Sequence, residues 1–540
     1  MLKDADATAI YSSRGATGVI LITTKSGRSG KTKIDFEIYS GIGKVANRVD
    51  MLNPAQYSEL RREAFANDGV APDATTAPDL FEWGNKATDW QKKLIGETAS
   101  HTDVKLSVSG GNERTSFLIS GTYRYESSVM IGDNDYDRAA AHFNINHRSK
   151  DDRFVLTAVA NYSTDNNNTP YTSLGYYYNF SPNYPMYADN GDLYWYGTMI
   201  NPLALPSQKY NSKTNNLIGN VTAKYTILEG LDAKVNLGYT YKTMDQLQIF
   251  PEKSLNPATS AGSYSYFGNA RSTSYVIEPQ LTYTRNLWGG VLSALLGGTW
   301  QDNQLKGNQL EGKGYSNDGL LESMMAASTL TVRRATDRLY TYQSVFGRLN
   351  YVWKDKYLLN LTYRRDGSSR FGPGNRFGDF GAIGAGWIIS NEPFLKESLP
   401  CMNFTKLRMS YVITGNDQCD DYAYLDSRDS NSYPYDGISG LSPTRLINDT
   451  FKWEENRKLE VGLELGFLDS RILLKTDYYF NRSSNQLINF SLSSQTGFTS
   501  YRANFPAEVE NTGWEFDLNA TVIQQHALRW ESGLNLTIPK

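Results

Sequence analysis

The chain is poor in the residues that carry most enzyme and metal chemistry: its 540 residues include two cysteines and four histidines. Two cysteines cannot build a disulfide scaffold or a zinc site. Four scattered histidines offer no visible nucleophile and base pair, so no catalytic residue, metal or cofactor is implied. An excess of positive charge is also missing. Lysine and arginine number 54 against 57 aspartates and glutamates, a formal charge of -3, which leaves nucleic-acid binding without a basic surface. No run approaches the roughly eighteen apolar residues of a spanning helix, and the most apolar stretch, Gly18 to Ile22, is one strand long. A membrane helix is excluded. A membrane barrel is not, because alternating strands leave mean hydropathy low, here -0.50. The opening Met1-Leu2-Lys3-Asp4-Ala5 lacks the basic and apolar regions of an export signal.

What the chain does have is 13% aromatic residues, 45 glycines and period-2 alternation repeated along its length. From Leu231 the odd positions are Leu231, Ala233, Val235, Leu237, Tyr239 and Tyr241, against Asp232, Lys234, Asn236, Gly238 and Thr240. Leu459 to Phe467 splits the same way, as do Trp514, Phe516, Leu518 and Ala520 against Glu515, Asp517 and Asn519. Each such strand has one apolar and one wet face.

Counting these runs predicts seventeen strands between residues 31 and 537, joined by connections that alternate in length. Short turns fall at 110–113, 150–152, 229–230, 286–289, 354–355, 468–470 and 524–526, with a longer one of the same parity at 391–402. Between them lie extended loops at 165–213, 244–269, 303–337, 416–451 and 484–511. Brief turns on one side and long loops on the other are the asymmetry of an outer-membrane barrel. A soluble propeller or a row of sandwiches would also alternate. Its strands would be about five or six residues long, however, whereas many of these reach the ten or so a tilted membrane strand needs. Residues 43–100 interrupt the pattern, and Asn53-Pro54 followed by Gln56 to Phe65 predicts a capped short helix.

The segment Leu2 to Lys25, with Tyr11-Ser12-Ser13-Arg14-Gly15-Ala16-Thr17-Gly18-Val19-Ile20 at its centre, resembles the end of the plug domain in SusC/RagA transporters. That family usually has Gly where Ser12 stands and Asn where Thr17 stands. Further blocks resemble the same family in order: Leu106 to Glu113, Tyr363-Arg364-Arg365-Asp366-Gly367-Ser368-Ser369-Arg370-Phe371-Gly372, Gly384 to Trp387, Leu407 to Tyr411 with Thr414-Gly415-Asn416, and Lys452-Trp453-Glu454.

The resemblance implies an all-β fold, a large antiparallel transmembrane β-barrel of which about seventeen of twenty-two strands are present. Residues 1–30 would be the C-terminal end of a plug domain and residues 31–540 a TonB-dependent receptor barrel incomplete at its C-terminus. It also implies a Gram-negative, Bacteroidota-like outer membrane, a SusD-type surface lipoprotein over the barrel, and a TonB-ExbB-ExbD complex acting on a segment that would precede residue 1. The implied activity is active import of an oligosaccharide or a peptide. A receptor or adhesin that transports nothing is the alternative.

Several residues carry site expectations. Arg14, Gly15 and Gly18 form the plug motif, where the glycines would let the backbone bend before pairing. The polar rows Asp232, Lys234, Asn236, Glu460, Glu464, Glu515 and Asp517 would contact the plug, or else form a hydrated interior. Tyr171, Tyr176, Tyr177, Tyr178, Tyr184, Tyr187, Tyr194, Trp195 and Tyr196 crowd one long loop, where flat faces suit sugar rings; the same residues could instead pack the loop onto itself or onto the partner. Asp133, Asp135 and Asp137 lack the pattern of a calcium loop and read as a solvated hairpin tip. His142 and His147 fall on opposite strand faces. Cys401 and Cys419 are expected at opposite ends of one spanning strand and therefore unbridged, with Cys419 open to a thiol reagent from outside.

Overall fold

A computed structural model describes residues 25–260, 262–398, 402–430, 435–525 and 528–540. The plug motif Arg14, Gly15 and Gly18 lies outside the described residues, as does Cys401. The chain folds into β1 (Gly30–Gly43), β2 (Ala99–Gly111), β3 (Thr115–Ser127), β4 (Asp135–Arg148) and β5 (Phe154–Pro170). Then follow β6 (Lys209–Leu228), β7 (Leu231–Phe250), β8 (Tyr264–Leu287), β9 (Gly290–Lys313) and β10 (Thr329–Trp353). Shorter strands come next: β11 (Tyr357–Ser368), β12 (Phe377–Ile388) and β13 (Met402–Asn416). After a loop hairpin of β14 (Ser427–Ser430) and β15 (Leu441–Arg445) come β16 (Glu454–Phe467) and β17 (Ile472–Ser484). A second loop hairpin, β18 (Gln486–Ser491) and β19 (Ser500–Phe505), precedes β20 (Val509–Gln524) and β21 (Arg529–Pro539).

Apart from the two loop hairpins, these strands make one antiparallel sheet of seventeen. Each pairs with the next sheet strand along the chain, and the expected seventeen are the seventeen found. Among the described residues β1 and β21 are the two edges of this sheet.

One end of the sheet carries the tight connections, and their geometry shows why. At Gly230 φ is +80°, and a Cβ there would sit 2.2 Å from the carbonyl oxygen of Thr284, so only glycine lets β6 turn into β7 against the end of β8. Left-handed backbone recurs at Asp152, Lys354, Asp355 and Asp469.

Directly paired residues share a face, and the apolar rows find each other across the strands. Ile119 faces Phe143, Leu217 faces Tyr162, Leu237 faces Ile277, Leu281 faces Leu296, Leu361 faces Ile383, and Leu407 faces Leu463. All twelve side chains are exposed. A continuous exposed apolar face on so large a sheet is what lipid, not water, covers. Aromatic residues mark both margins of the band. Beside the tight turns Trp353 and Tyr357 have ring centroids 5.5 Å apart, and Tyr357 stacks on Trp387 at 6.3 Å. At the other margin Tyr162, Tyr275 and Tyr363 donate hydrogen bonds to Asn215, Asp302 and Asp379 at 3.1, 2.5 and 2.7 Å. Tyrosine and tryptophan at such borders bury their rings while their polar atoms stay wet.

The opposite face is the wet one. On it the Asp232 carboxylate accepts from Thr226 at 2.6 Å and pairs with Lys224 at 2.9 Å, and Thr222 donates to Asn236 at 2.9 Å. Arg408 bridges Glu460 and Asp477, each at 2.7 Å, with Glu464 at 3.7 Å. Asp517 and Glu515 sit opposite Lys475 and Asp477. Asp232, Asn236, Glu460 and Glu464 are therefore tied laterally into the wall.

The expected loops at 165–213, 244–269 and 303–337 are shorter than the spacing suggested. β5 to β10 continue past the apolar band, and β10 reaches 25 residues, leaving connections of 171–208, 251–263 and 314–328. The expected helix is present as Pro54–Asn67, with Asn53 and Gln56 capping each other's backbone N–H. Short helices at Pro78–Phe81 and Trp90–Ile95 accompany it.

Candidate functional site

At the wide end of the sheet two aromatic clusters hold the long connections in place. The first unites residues 44–98, 128–134 and 171–208 around Trp90, Leu94, Leu174, Tyr184 and Leu205. Its polar atoms are matched across the loops. The Asn183 amide donates to the carbonyls of Asp79 and Gly84 at 2.6 and 3.1 Å, Trp90 Nε1 donates to Ser181 at 2.8 Å, and Tyr196 donates to Thr75 at 2.9 Å. Satisfied buried groups of this kind fix one loop arrangement.

This cluster sorts the nine expected aromatics. Tyr184 is buried in it, with Tyr177, Tyr194 and Tyr196 packed around it. Tyr176, Tyr178 and Tyr187 are exposed. Tyr171 packs its edge on Phe250 at 4.9 Å, and Phe250 stacks on Tyr264 at 4.4 Å. Trp195 lines a cleft.

That cleft, of about 440 Å³, opens on the wet face between residues 195–208, the connection 251–263 and the far ends of β8 and β9. Tyr264 and Tyr266 stand on one side, opposite Lys313 and Glu311 in register. Its rim is braced: the Gln208 amide donates to Ser254 at 2.9 Å, Asn256 donates to Gly197 and Met199 at 2.9 and 3.1 Å, and Ser265 donates to Leu321 at 2.6 Å.

Glu311 is 4% exposed and meets Arg333 of β10 at 2.5 Å and Lys313 at 3.3 Å. These residues stand beyond the apolar band. Burial alone would raise the Glu311 pKa, but Arg333, the Tyr266 hydroxyl and Lys313 outweigh it and hold the carboxyl below its usual range. The cleft can thus offer aromatic faces, serine and amide groups and charge to a polar ligand. Tyr264, Tyr266, Glu311 and Lys313 were not among the expected site residues, because they lie where loops were expected.

The second cluster packs Tyr340, Tyr342, Phe371, Phe380, Tyr424, Phe451 and Trp453. It explains the block from Tyr363 to Gly372. Even positions point to the wet face: Arg364 meets Asp366 at 2.5 Å and donates to Tyr342 and Ser344 at 2.7 and 2.8 Å, and Ser368 donates to Asp417 at 2.9 Å. Odd positions point outward, where Tyr363 and Arg365 share Asp379. Arg370 then reaches Asp421 at 3.0 Å with its guanidinium 4.3 Å from the Tyr340 ring centre. The block pins residues 417–453 onto the barrel wall.

Asp133 pairs with Lys209 at 3.5 Å, and Asp135 and Asp137 accept from Asn168 and Asn166. His142 bonds Asn161 at 2.7 Å and His147 bonds Thr115 at 2.8 Å, on opposite faces as expected.

Comparison with known proteins agrees with this architecture. The chain is 29% identical to TonB-dependent receptor P3 of Formosa agariphila over 99% of its length and 54% of that protein's. It is 28% identical to TonB-dependent receptor SusC of Bacteroides thetaiotaomicron over 99% of its length and 55% of that protein's. The chain therefore spans about half the length of these curated relatives. The RagAB peptide transporter structure superposes with a TM-score of 0.86 at 23% identity, over 99% of this chain and 64% of that one, a likeness of fold. The family model for TonB dependent receptor-like, beta-barrel matches residues 143–538, well over half of the chain, and the chain belongs to that family.

Proposed function

We propose that this chain is the barrel portion of a SusC-type, TonB-dependent importer that takes a nutrient, an oligosaccharide or a peptide, across the outer membrane of a Bacteroidota-like bacterium. In this reading residues 1–30 are the end of the plug and residues 31–540 the barrel. The plug fills the wet side of the sheet, a SusD-type lipoprotein covers the mouth, and TonB-ExbB-ExbD supplies the pull. The observation that carries the reading is a braced aromatic cleft placed on the wet face, beyond the lipid band, in a member of this receptor family. A ligand held there sits at the entrance to the barrel interior, where weak wall contacts allow a plug to move.

The test is uptake of labelled glycan and labelled peptide by cells carrying the full gene, with and without TonB. Accumulation that needs TonB supports import. Surface binding without TonB-dependent accumulation points instead to a receptor or adhesin.

A further inference from the structure

We infer that the cleft between Trp195 and the ends of β8 and β9 selects oligosaccharides bearing anionic groups, carboxylate or sulfate, over neutral ones. The inference rests on the import reading and narrows its substrate class. Among the described residues lining the cleft the ionisable side chains other than tyrosine are Glu311 and Lys313, and Glu311 is bonded from β10 by Arg333. Two cations share one carboxylate, so the cluster carries one net positive charge. The carboxylate is almost wholly covered, whereas Lys313 and Arg333 are 54% and 47% exposed. Within the cleft a ligand therefore meets Lys313, with Glu311 beside it covered and held by both cations.

The rest of the lining suits a sugar. Trp195, Tyr264 and Tyr266 supply ring faces, and Thr259, Ser260 and Ser263 supply hydroxyl oxygens that can accept from a sugar. An acidic peptide would find the charge but would leave the hydroxyl-rich wall with few partners. The charge is fixed by the fold. The β10 register shifts between Val332 and Arg334, and this irregularity frees the Arg333 side chain to cross to Glu311 on β9.

The experiment uses the full-length protein with its partner and titrates tetragalacturonate, its methyl ester, a sulfated and a neutral glucan tetramer, and tetraglutamate. Expected is binding of both acidic glycans about tenfold tighter than their neutral counterparts, as one desolvated ion contact gives. Lys313→Gln should remove that preference, weakening acidic-glycan binding about tenfold more than neutral-glycan binding. Glu311→Gln should move the other way, strengthening anionic binding several-fold by releasing both cations; a merely structural role for the trio predicts weaker binding from both changes. Preference for only one of the two anions identifies which group is read. Equal binding of acid and ester, weakening by Glu311→Gln, binding of tetraglutamate in preference to glycans, or no binding at all overturns the inference. TonB-dependent uptake of a neutral glycan without charge preference would sink this inference and leave the import reading standing.

Discussion

Two halves of the same strands obey different rules. In β7 the half from Leu231 to Tyr241 puts every large apolar side chain on one face, and Leu237 and Tyr239 are exposed there. From Lys242 to Phe250 the separation disappears: Met244 and Leu247 stand on opposite faces, with Thr243, Asp245, Gln246 and Gln248 among them. The backbone ladder does not change, since β7 stays paired with β6 and β8 along its whole length. What changes is the surroundings. In the lower half lipid lies on one side and water on the other, and the side chains sort accordingly. In the upper half both faces are wet or covered by folded loops, so order comes from specific contacts such as Tyr264 on Phe250 or Glu311 with Arg333.

That contrast can be broken from either side. The largest effect is expected at the mouth: Arg364→Ala in the full gene product leaves the fully buried Asp366 carboxylate without its cation and should cost about 3–5 kcal/mol in urea unfolding, as for other broken buried pairs. A loss under about 1 kcal/mol would mean that the ion pair does not hold this wall together. Next comes the lipid face. Leu296, 59% exposed and paired with Leu281, should tolerate arginine at a cost of about 2–4 kcal/mol if it lies near the midplane. Destabilisation in detergent that equals that in vesicles would place Leu296 against protein rather than lipid. Smaller still is the effect of Asn308→Arg, twelve residues up the same strand. Asn308 is exposed and faces Asn269 and Ala335, and the change should stay within about 0.5 kcal/mol. A penalty like that of Leu296→Arg would extend the lipid band to the top of β9.

The same division decides what the sequence could reveal. The strand count, the parity of connections and the side each apolar row takes were legible, because lipid imposes a period-2 signal that needs no knowledge of partners. Strand ends near the tight turns came within a few residues of those observed. The outer ends did not: β9 continues from the expected 302 to 313, and β10 begins at 329 rather than 338. Beyond the membrane both faces carry polar residues, and strand and loop look alike. The hairpins β14–β15 and β18–β19 are short and lie within long connections, so they were missed for the same reason. Of the site, one member, Trp195, was named in advance. Its companions are fixed by contacts between segments more than forty residues apart, such as Asn256 with Gly197 and Gln208 with Ser254 on one rim and Ser265 with Leu321 on the other.

The gentlest probe leaves the ion pairs and the lipid face untouched. Parity alone would leave Cys419 open to an impermeant thiol reagent on intact cells, but the fold places it against the second aromatic cluster. Burial pushes its thiol up to about 12, the nearby Arg370 only partly offsetting this. At pH 8 a thiol with that pKa is about one part in ten thousand thiolate, against about a quarter for an ordinary cysteine near 8.5. The greater nucleophilicity of the rarer thiolate recovers part of this deficit, so labelling should run roughly a hundredfold slower than at an exposed cysteine. Ser493→Cys, in the exposed turn between β18 and β19, supplies that reference on the same cells. Because the group titrates so high, the Cys419 rate should keep climbing about tenfold per pH unit from pH 7 to 10 without levelling, while the reference levels off above about pH 9. Rapid labelling of Cys419 with a plateau near pH 9 would show that residues 417–453 lift off the wall in the living membrane, and that the Arg364 to Arg370 block does not pin them there.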